Sequence, residues 1–182
     1  MTTTKRITSI ALFLTATMGF AQHKISMKAE LDTISHTIKI NQEVVYFNTS
    51  KDTLTQILLH DWANSYIDKE TPLAQRFAED YKRNLHFASA HERGFTNIDS
   101  IKNKLENILT WQRYNGFQDI LKVNLNEPLK SGDSTLIHFI YSVKLPDDKF
   151  TSNGYTHEKN YNLRYWYLIP AVYDTKWEVH SN

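Results

Sequence analysis

Apolar and polar residues alternate along several stretches of this 182-residue chain, and this period-two pattern is the feature that most constrains its fold. Successive side chains of a β-strand point to opposite faces, so alternation predicts a strand with one buried face. Near the start of the chain, the apolar positions of such a stretch are Ile25, Met27, Ala29 and Leu31. A second β-rich run covers residues 38–47 and ends at the turn-forming residues NTSKD. The two runs predict an antiparallel pair.

Further strands are expected downstream. Residues 54–62, LTQILLHDW, predict a third strand, and residues 120–143 predict a hairpin whose connection is formed by residues 128–133. The stretch 102–113 fits either a strand or a helix, because its leucine and isoleucine spacing suits both. Strands joined by turns indicate a mainly β fold, either a β-sandwich or an open antiparallel sheet.

One helix interrupts the β pattern. Thr71 is a suitable N-cap, and Pro72 fits the first helical position, where the backbone N–H has no partner in any case. Apolar residues then recur every fourth position, at Leu73, Phe77, Tyr81 and Leu85. These signals predict one inserted α-helix over residues 72–88.

The first 21 residues have the layout of a secretory signal peptide. Lys5 and Arg6 precede an apolar run over residues 7–18, and small residues stand at Gly19 and Ala21, before the expected cleavage site. The run is too short to span a bilayer. The pattern therefore predicts a periplasmic or secreted domain over residues 22–182, with no membrane span after cleavage.

The hydrophobic core must stabilise the exported domain without disulfide bonds. The chain has no cysteine, so it can carry neither a disulfide nor a lipid anchor. Its 41% hydrophobic and 23% charged content is that of an ordinary globular protein. The 21 basic and 20 acidic residues are interspersed, so no basic stripe points to nucleic acid.

Motifs for catalysis or metal binding are incomplete. The dipeptides His91-Glu92 and His157-Glu158 lack the second histidine of the H-E-x-x-H zinc motif. The isolated glycines form no phosphate-binding loop, and no serine is framed as a nucleophile elbow. The pairs Asp147-Asp148 and His60-Asp61 are better explained as a solvated turn and an edge-strand pair than as acid–base groups. We therefore expect no cofactor, metal or catalytic site in this chain.

Aromatic residues crowd the segment LRYWYLIPAVYD and the residues just after it, at Tyr165, Trp166, Tyr167, Tyr173 and Trp177. In a strand, Tyr165 and Tyr167 would face one way and Trp166 the other. A strand that is apolar on both faces is either central to the domain or has one face against a partner. The sequence leaves these two readings open.

The order of several segments resembles a known family. These are the strand-turn-strand opening, LLHDWANSY, TPLAQRFAEDY followed by HERGF, VNLNEPLKSGDSTLIHFIYSVKLPDDKF, and NLRYWYLIPAVYD with KW shortly after. In this order they resemble the amino-terminal domain of exported zinc metallopeptidases of the aminopeptidase N (gluzincin) type, in their Bacteroidetes-like versions. Better-known members read Pro-Cys-Phe-Asp-Glu-Pro in the last segment. Pro170, Tyr173 and Asp174 match it, whereas the Cys and the Glu-Pro are absent.

This resemblance implies a saddle-shaped β-sandwich that packs on a thermolysin-like catalytic domain, with zinc in that domain and none in this chain. The expected partners are the catalytic peptidase domain, in the same polypeptide or as a split product, and a peptide substrate. The chain would then end after the exit strand of its first domain. Tyr165, Tyr167, Tyr173 and Trp177 become the candidates for the interdomain interface.

The family also shapes its substrate pocket with a Gln or Glu just before the Arg-…-Pro segment. Glu158 and Asn160 lie near that place without matching its spacing, so they are candidate substrate-lining residues or solvated loop residues. The expected function is a non-catalytic domain that supports a metallopeptidase. The alternative is a stand-alone exported module that binds a glycan or a peptide through surface aromatics.

Overall fold

The computed structural model describes residues 23–158 and 160–181. The predicted signal peptide over residues 1–21 lies outside the described residues. Two four-stranded antiparallel sheets pack face to face around one main core and do not close into a barrel. This confirms the expected mainly β architecture with one inserted α-helix.

The first sheet, called sheet A, has the strand order β1-β2-β7-β4. Its strands are β1 (Lys24–Asp32), β2 (Thr37–Phe47), β4 (Phe95–Asn103) and β7 (Ser134–Lys144). The predicted antiparallel pairing of β1 with β2 is confirmed, with Lys24 opposite Val45 and Asp32 opposite Thr37. The inward faces of β2 and β7 carry alternating buried residues, namely Ile38, Ile40, Val44, Tyr46, Ile137, Phe139, Tyr141 and Val143.

The second sheet, called sheet B, has the order β10-β3-β6-β5. Its strands are β3 (Leu54–His60), β5 (Trp111–Tyr114), β6 (Phe117–Leu129) and β10 (Ile169–Pro170). Consecutive residues Ile57, Leu58 and Leu59 of β3 are completely buried, so both faces of this strand are covered. The predicted third strand ends at His60 rather than at Trp62, because a 3₁₀ helix, Trp62–Tyr66, begins there.

The predicted hairpin over residues 120–143 is wrong. β6 pairs with β3 and β5, whereas β7 pairs with β2 and β4, so residues 130–133 cross from one sheet to the other. Asn48, in the connection from β2 to β3, fixes this crossing: its N–H donates to Asp133 O (2.9 Å), and its O accepts from Gly132 N–H (2.8 Å). Its side-chain amide also donates to Leu129 O (3.0 Å). The two crossings at this end of the sandwich are therefore tied together.

The inserted helix is shorter than predicted. α1 covers Pro72–Glu79, with Thr71 as N-cap accepting from Ala74 N–H at 3.3 Å. It ends because Tyr81 has a left-handed backbone (φ 59°), while Lys82 N–H bonds Phe77 O (2.7 Å) and Tyr81 N–H bonds Ala78 O (3.1 Å). This 6→1 and 5→2 pattern is a Schellman motif. The predicted helical turns over residues 80–88 are consequently turns and loop, although Leu85 in them is fully buried.

The ambiguous stretch 102–113 is β structure. β4 continues to Asn103, a turn follows, and β5 begins at Trp111. Asn103 makes the turn, because its side-chain Oδ1 accepts from Leu105 and Asn107 N–H groups at 2.9 and 3.1 Å.

The aromatic segment over residues 163–174 is not the long central strand that one reading predicted. It contains only β10 and β11 (Val172–Tyr173), and β10 is an edge strand of sheet B that pairs with His60 and Leu59. The segment is anchored at Leu168, which is fully buried in the main core. Two pairs of short strands complete the fold: β8 (Gly154–Tyr155) pairs with β9 (Tyr161–Asn162), and β11 pairs with β12 (Trp177–Glu178).

Candidate functional site

The buried polar pair Gln42 and Tyr141 holds the aromatic segment in place. Gln42 is completely buried and donates from Nε2 to Leu168 O at 2.7 Å, while Tyr141 Oη accepts from Leu168 N–H at 3.1 Å. Tyr141 Oη also donates to Gln42 Oε1. Burial raises the pKa of the Tyr141 hydroxyl, so it stays protonated and remains a donor. Leu168 is thus fixed between the two sheets, and the segment reaches the surface further along the chain, at Tyr165 and Val172.

Two of the interface candidates lie together on the hairpin of β11 and β12. The rings of Tyr173 and Trp177 are 5.1 Å apart at 66°, and Trp177 also tilts against Tyr46 at 6.0 Å. Tyr173 Oη donates to Asp52 Oδ2 at 2.9 Å, and this hydrogen bond raises the pKa of the Tyr173 hydroxyl. Both side chains are half-buried. They form a partly exposed aromatic pair supported by sheet A.

The other two candidates lie on a different part of the segment. Tyr165 is 57% exposed, and its ring meets the Trp62 ring edge-on at 4.6 Å and 88°. Tyr167 is half-buried and contacts Trp166 at 5.5 Å. The four candidates therefore pack as separate groups and do not form one continuous ring stack.

The candidate substrate-lining residues Glu158 and Asn160 lie in the turn between β8 and β9. Both side chains are exposed, and the backbone N–H of each residue donates to Thr156 Oγ1 at 3.2 Å. Thr156 N–H in turn donates to Asn160 O at 2.9 Å. The structure brings the two residues close to each other, and their role in lining a substrate site stays a prediction.

A buried ionic cluster lies at the end of β3. Asp61 is 1% exposed; its Oδ1 accepts from Thr96 Oγ1 at 2.6 Å, and its Oδ2 accepts from Arg113 Nη1 at 2.8 Å. Burial raises the pKa of Asp61, while Arg113 and Thr96 act in the opposite direction. Asn64 Oδ1 accepts the Thr96 N–H at 2.9 Å. This cluster joins β4 and β5 to the start of the 3₁₀ helix.

A second buried carboxylate, Asp119, lies next to this cluster. Its carbonyl accepts the Asp61 N–H at 2.8 Å, and its side chain accepts from Ser65 Oγ (3.1 Å) and from Ser181 Oγ (2.8 and 2.9 Å). Trp62 Nε1 donates to His180 O at 3.1 Å. The residues at 180–181 are therefore fastened to sheet B and the 3₁₀ helix through polar contacts.

His60 does not pair with Asp61, and the two residues are not the edge-strand pair that the sequence suggested, because β3 lies between β10 and β6 and Asp61 is buried. The buried Nδ1 of His60 has no hydrogen-bond partner among the described residues. Burial, followed by the neighbouring His180, lowers the pKa of His60. Its ring tilts against Trp62 at 5.0 Å.

A small cavity of about 200 Å³ opens beside the 3₁₀ helix. Tyr66 and Leu73, each 3% exposed, form its buried floor. Trp62 and Tyr165 line it, and Thr151, Asn153 and Arg164 supply its polar groups.

The two His-Glu dipeptides have structural contacts. Glu92 forms an ion pair with Lys149 and accepts from Ser89, and the hydrogen bond from Lys149 lowers the pKa of Glu92 to about 2. His157 Nε2 lies 3.7 Å from Asp147 Oδ2, whose partner oxygen Oδ1 accepts the Lys149 N–H at 3.0 Å. Within residues 23–158 and 160–181, no group of three or more His, Asp or Glu side chains could hold a metal ion. No helix in this part of the chain is long and apolar enough to cross a membrane.

Sequence reasoning missed both the ionic cluster and the cavity. Thr96, Arg113 and Asp119 come from three different strands or their ends, and each is an ordinary polar residue in its own stretch. The dipeptide His60-Asp61 at the end of an apolar run was the one local signal of a buried polar site. It did not reveal the partners, which are 35 and 52 residues away from Asp61.

Comparisons with known proteins give similarity at the level of solved structures. No family model and no curated protein matches the chain. An M1 zinc metallopeptidase from Deinococcus radiodurans bound to a Tyr-Ser-Ala substrate is similar with a TM-score of 0.34 and 11% identity, over 59% of this chain and 16% of that chain. A two-domain M1 zinc metallopeptidase bound to L-tryptophan is similar with a TM-score of 0.37 and 10% identity, over 68% of this chain and 19% of that chain. The chain thus spans less than a fifth of either metallopeptidase.

Proposed function

We propose that this chain is a non-catalytic amino-terminal domain of an exported zinc metallopeptidase of the aminopeptidase type. In this role it packs on a catalytic domain that carries H-E-x-x-H and zinc, and it helps to shape the substrate site. The ordered series of sequence segments that resembles this family led to the proposal. The observation that carries it structurally is the arrangement of the aromatic segment around Leu168.

That segment is buried at Leu168, Pro170 and Ala171 and becomes exposed further away on both sides of these residues. Leu168 is fully buried, whereas Tyr165 is 57% exposed and Val172 is 62% exposed. Large apolar side chains that are held rigidly at a sheet edge and remain open to solvent are typical of protein interfaces. A catalytic domain bound over Tyr165, Val172 and the Tyr173–Trp177 pair would cover them.

The association itself is the first test. The partner to use is a domain with H-E-x-x-H encoded in the same genome, in the same reading frame or in an adjacent one. We expect the purified chain to bind this domain in isothermal titration calorimetry. Val172→Lys and Tyr165→Lys should each weaken binding about tenfold or more, since a charge would be buried at the interface.

Ile34→Lys is the matched control, because Ile34 is 93% exposed in the turn between β1 and β2 and lies outside the aromatic segment. The control should bind like the parent chain. No binding to the catalytic domain, or equal binding by all four proteins, would contradict the proposed interface.

Zinc and activity provide the second test. Because the reaction is assigned to the catalytic domain, we expect the purified chain to contain zinc well below one ion per molecule and to release no amino acid from peptides. Stoichiometric zinc in elemental analysis, or peptide cleavage that co-purifies with the folded chain through several columns, would refute the assignment.

A further inference from the structure

The cavity beside the 3₁₀ helix has the size and the walls for one aromatic ring. Its volume is about 200 Å³, and an apolar cavity of about 150 Å³ is enough to hold benzene. The floor is apolar and buried, being formed by the ring of Tyr66 and the side chain of Leu73. Trp62 and Tyr165 meet edge to face at 4.6 Å beside it. A planar ring could pack against either of these two rings.

Both walls are fixed before any ligand arrives. Trp62 is held by the hydrogen bond from Nε1 to His180 O (3.1 Å). Tyr165 has a left-handed backbone, φ 50°, which is unfavourable for a residue with a side chain. Neighbouring bonds impose this conformation, since Arg164 N–H donates to Asn153 Oδ1 (2.9 Å) on one side and Leu168 is locked in the core on the other. Backbone strain that is held in this way is a feature of binding sites.

The polar groups at the cavity suit a carboxylate. The Arg164 side chain is exposed, and no carboxylate of the described residues lies within ion-pair distance of it. The bond from Arg164 N–H holds the Asn153 amide next to it, so that Asn153 Nδ2 offers further N–H donors. Both residues line the cavity, and a guanidinium and an amide at one site can together bind the two oxygens of a carboxylate.

We propose that this cavity binds an aromatic carboxylate, with the ring against Trp62 and Tyr165 and the carboxylate on Arg164 and Asn153. The ligand is a small N-blocked aromatic acid or the carboxyl-terminal aromatic residue of a peptide, which present the same chemistry. This site goes beyond the proposed metallopeptidase role. All its residues belong to this chain, so its binding is measured on the isolated chain, in which Tyr165 is not covered by the proposed catalytic domain.

The test uses the purified protein and three probes in isothermal titration calorimetry, with saturation-transfer NMR for weak binding. These are N-acetyl-L-phenylalanine, its amide, and N-acetyl-L-alanine. We expect the first to bind about fivefold or more tightly than its amide, which lacks the charge, and than the alanine probe, which lacks the ring. No binding of N-acetyl-L-phenylalanine at about 10 mM, a weak-binding limit well above 1 mM, would overturn the proposal. Equal binding of all three probes would overturn it as well.

Variants separate the two halves of the site. Arg164→Gln should abolish the preference for the carboxylate over the amide, while Arg83→Gln, an exposed arginine on the loop after α1, should leave it intact. Tyr165→Gly should weaken binding of both phenylalanine probes without unfolding the protein, because glycine accepts a left-handed backbone. Unchanged binding in Arg164→Gln or in Tyr165→Gly would refute the assigned contacts.

Two peptides then identify the source of the ligand, Ala-Ala-Phe and Ala-Ala-Phe-amide. Binding of the acid at least as strong as that of N-acetyl-L-phenylalanine assigns the cavity to peptide carboxyl termini. Binding of the N-acetyl amino acid alone assigns it to small aromatic acids. The catalytic-domain association is measured separately, so either result stands whether or not that association is found.

Discussion

At the scale of single residues, Gln42 and Tyr141 connect sheet A to the aromatic segment. Gln42 is the one polar side chain in the inward-facing series of β2, and its amide bonds both Tyr141 and the backbone of Leu168. A buried amide is tolerated only when its donors and acceptors are paired. The aromatic segment therefore supplies a partner that the sandwich core requires.

We expect Tyr141→Phe to lower the free energy of unfolding by about 1–3 kcal/mol, because it leaves Gln42 Oε1 and the Leu168 N–H buried without a partner. Tyr114→Phe is the control, since Tyr114 is only half-buried, near the end of β5, and should cost less than about 0.5 kcal/mol. Urea unfolding followed by tryptophan fluorescence measures both. An equal decrease in the free energy of unfolding in the two variants would show that the Gln42–Tyr141–Leu168 hydrogen bonds are not its cause.

The sequence could place Gln42 but not its partners. Its inward position follows from the alternation of β2, since Ile38, Ile40 and Val44 lie on the same face. Its partners are 99 and 126 residues away, and a contact at that separation leaves no local pattern. The same limit applies to the cavity, whose walls come from the 3₁₀ helix and from residue 165.

At the scale of elements, local signals gave the starts of elements more reliably than their ends. Thr71 and Pro72 marked the start of α1 correctly. The every-fourth pattern then continued through Tyr81 and Leu85, although the helix stops at Glu79. Tyr81 is 88% exposed, whereas Leu85 is buried but lies in a loop. The four-residue spacing therefore continued through residues that do not share one helix face. Periodicity alone cannot reveal that a non-glycine residue, here Tyr81, adopts the left-handed backbone conformation that ends the helix.

Tyr81→Gly should stabilise the protein by about 0.5–1 kcal/mol, because glycine removes the strain of a left-handed tyrosine at the end of α1. The gain is partly offset by the extra freedom that glycine gives the unfolded chain. Phe87→Gly is the comparison, because Phe87 is similarly exposed (74%) but its φ is not positive. It should give no gain. A loss of stability in Tyr81→Gly by urea unfolding would contradict the capping assignment.

The short strand β8 depends on a glycine at its first position. A Cβ added at Gly154, where φ is 123°, would lie 1.8 Å from Pro146 O. We expect Gly154→Ala to destabilise the protein by about 3 kcal/mol or more, in the range of severe core substitutions. Gly132 also has a positive φ (81°), but a Cβ there would have no atom within 4 Å, so Gly132→Ala should cost only about 1–2 kcal/mol for backbone strain. Thermal melts of the two variants separate the steric effect from the backbone effect.

At the scale of the whole molecule, strand patterns predicted the class of fold but not which strands pair. β6 and β7 follow one another and both alternate, yet they belong to opposite sheets. Alternation indicates that a strand has one buried face, but it does not indicate which strand lies next to it in the sheet. The hydrogen bonds of Asn48 to Asp133, Gly132 and Leu129 hold residues 130–133 in the path that leads from sheet B to sheet A. These contacts keep β6 and β7 in different sheets.

Half-buried His23 and buried His60 should make the stability of the whole sandwich depend on pH between about 7.5 and 5.5, the range in which histidine titrates. Burial lowers the pKa of His23, and His23 Nδ1 accepts the Phe47 N–H at 3.2 Å, a role that protonation of this nitrogen would end. Burial also lowers the pKa of His60, whose Nδ1 is enclosed. A histidine with a lowered folded-state pKa contributes stability that is present above its unfolded pKa of 6.5 and is lost as the pH falls below it.

We therefore expect the free energy of unfolding to decrease from pH 7.5 to pH 5.5, by at most about 1.4 kcal/mol per pH unit for each buried histidine. Asp32 and Glu92 have lowered pKa values and lose their contributions only below this window, whereas the raised pKa of Asp61 acts in the opposite sense. The His23→Gln, His60→Asn double variant isolates the contribution of these two histidines from those of the carboxylates and of His36, whose pKa burial also lowers. Urea unfolding at pH 7.5, 6.5 and 5.5 should show a flatter dependence for it than for the parent chain, and the exposed His86→Asn variant should keep the parent's slope. A double variant as steep as the parent would assign the pH dependence to other groups.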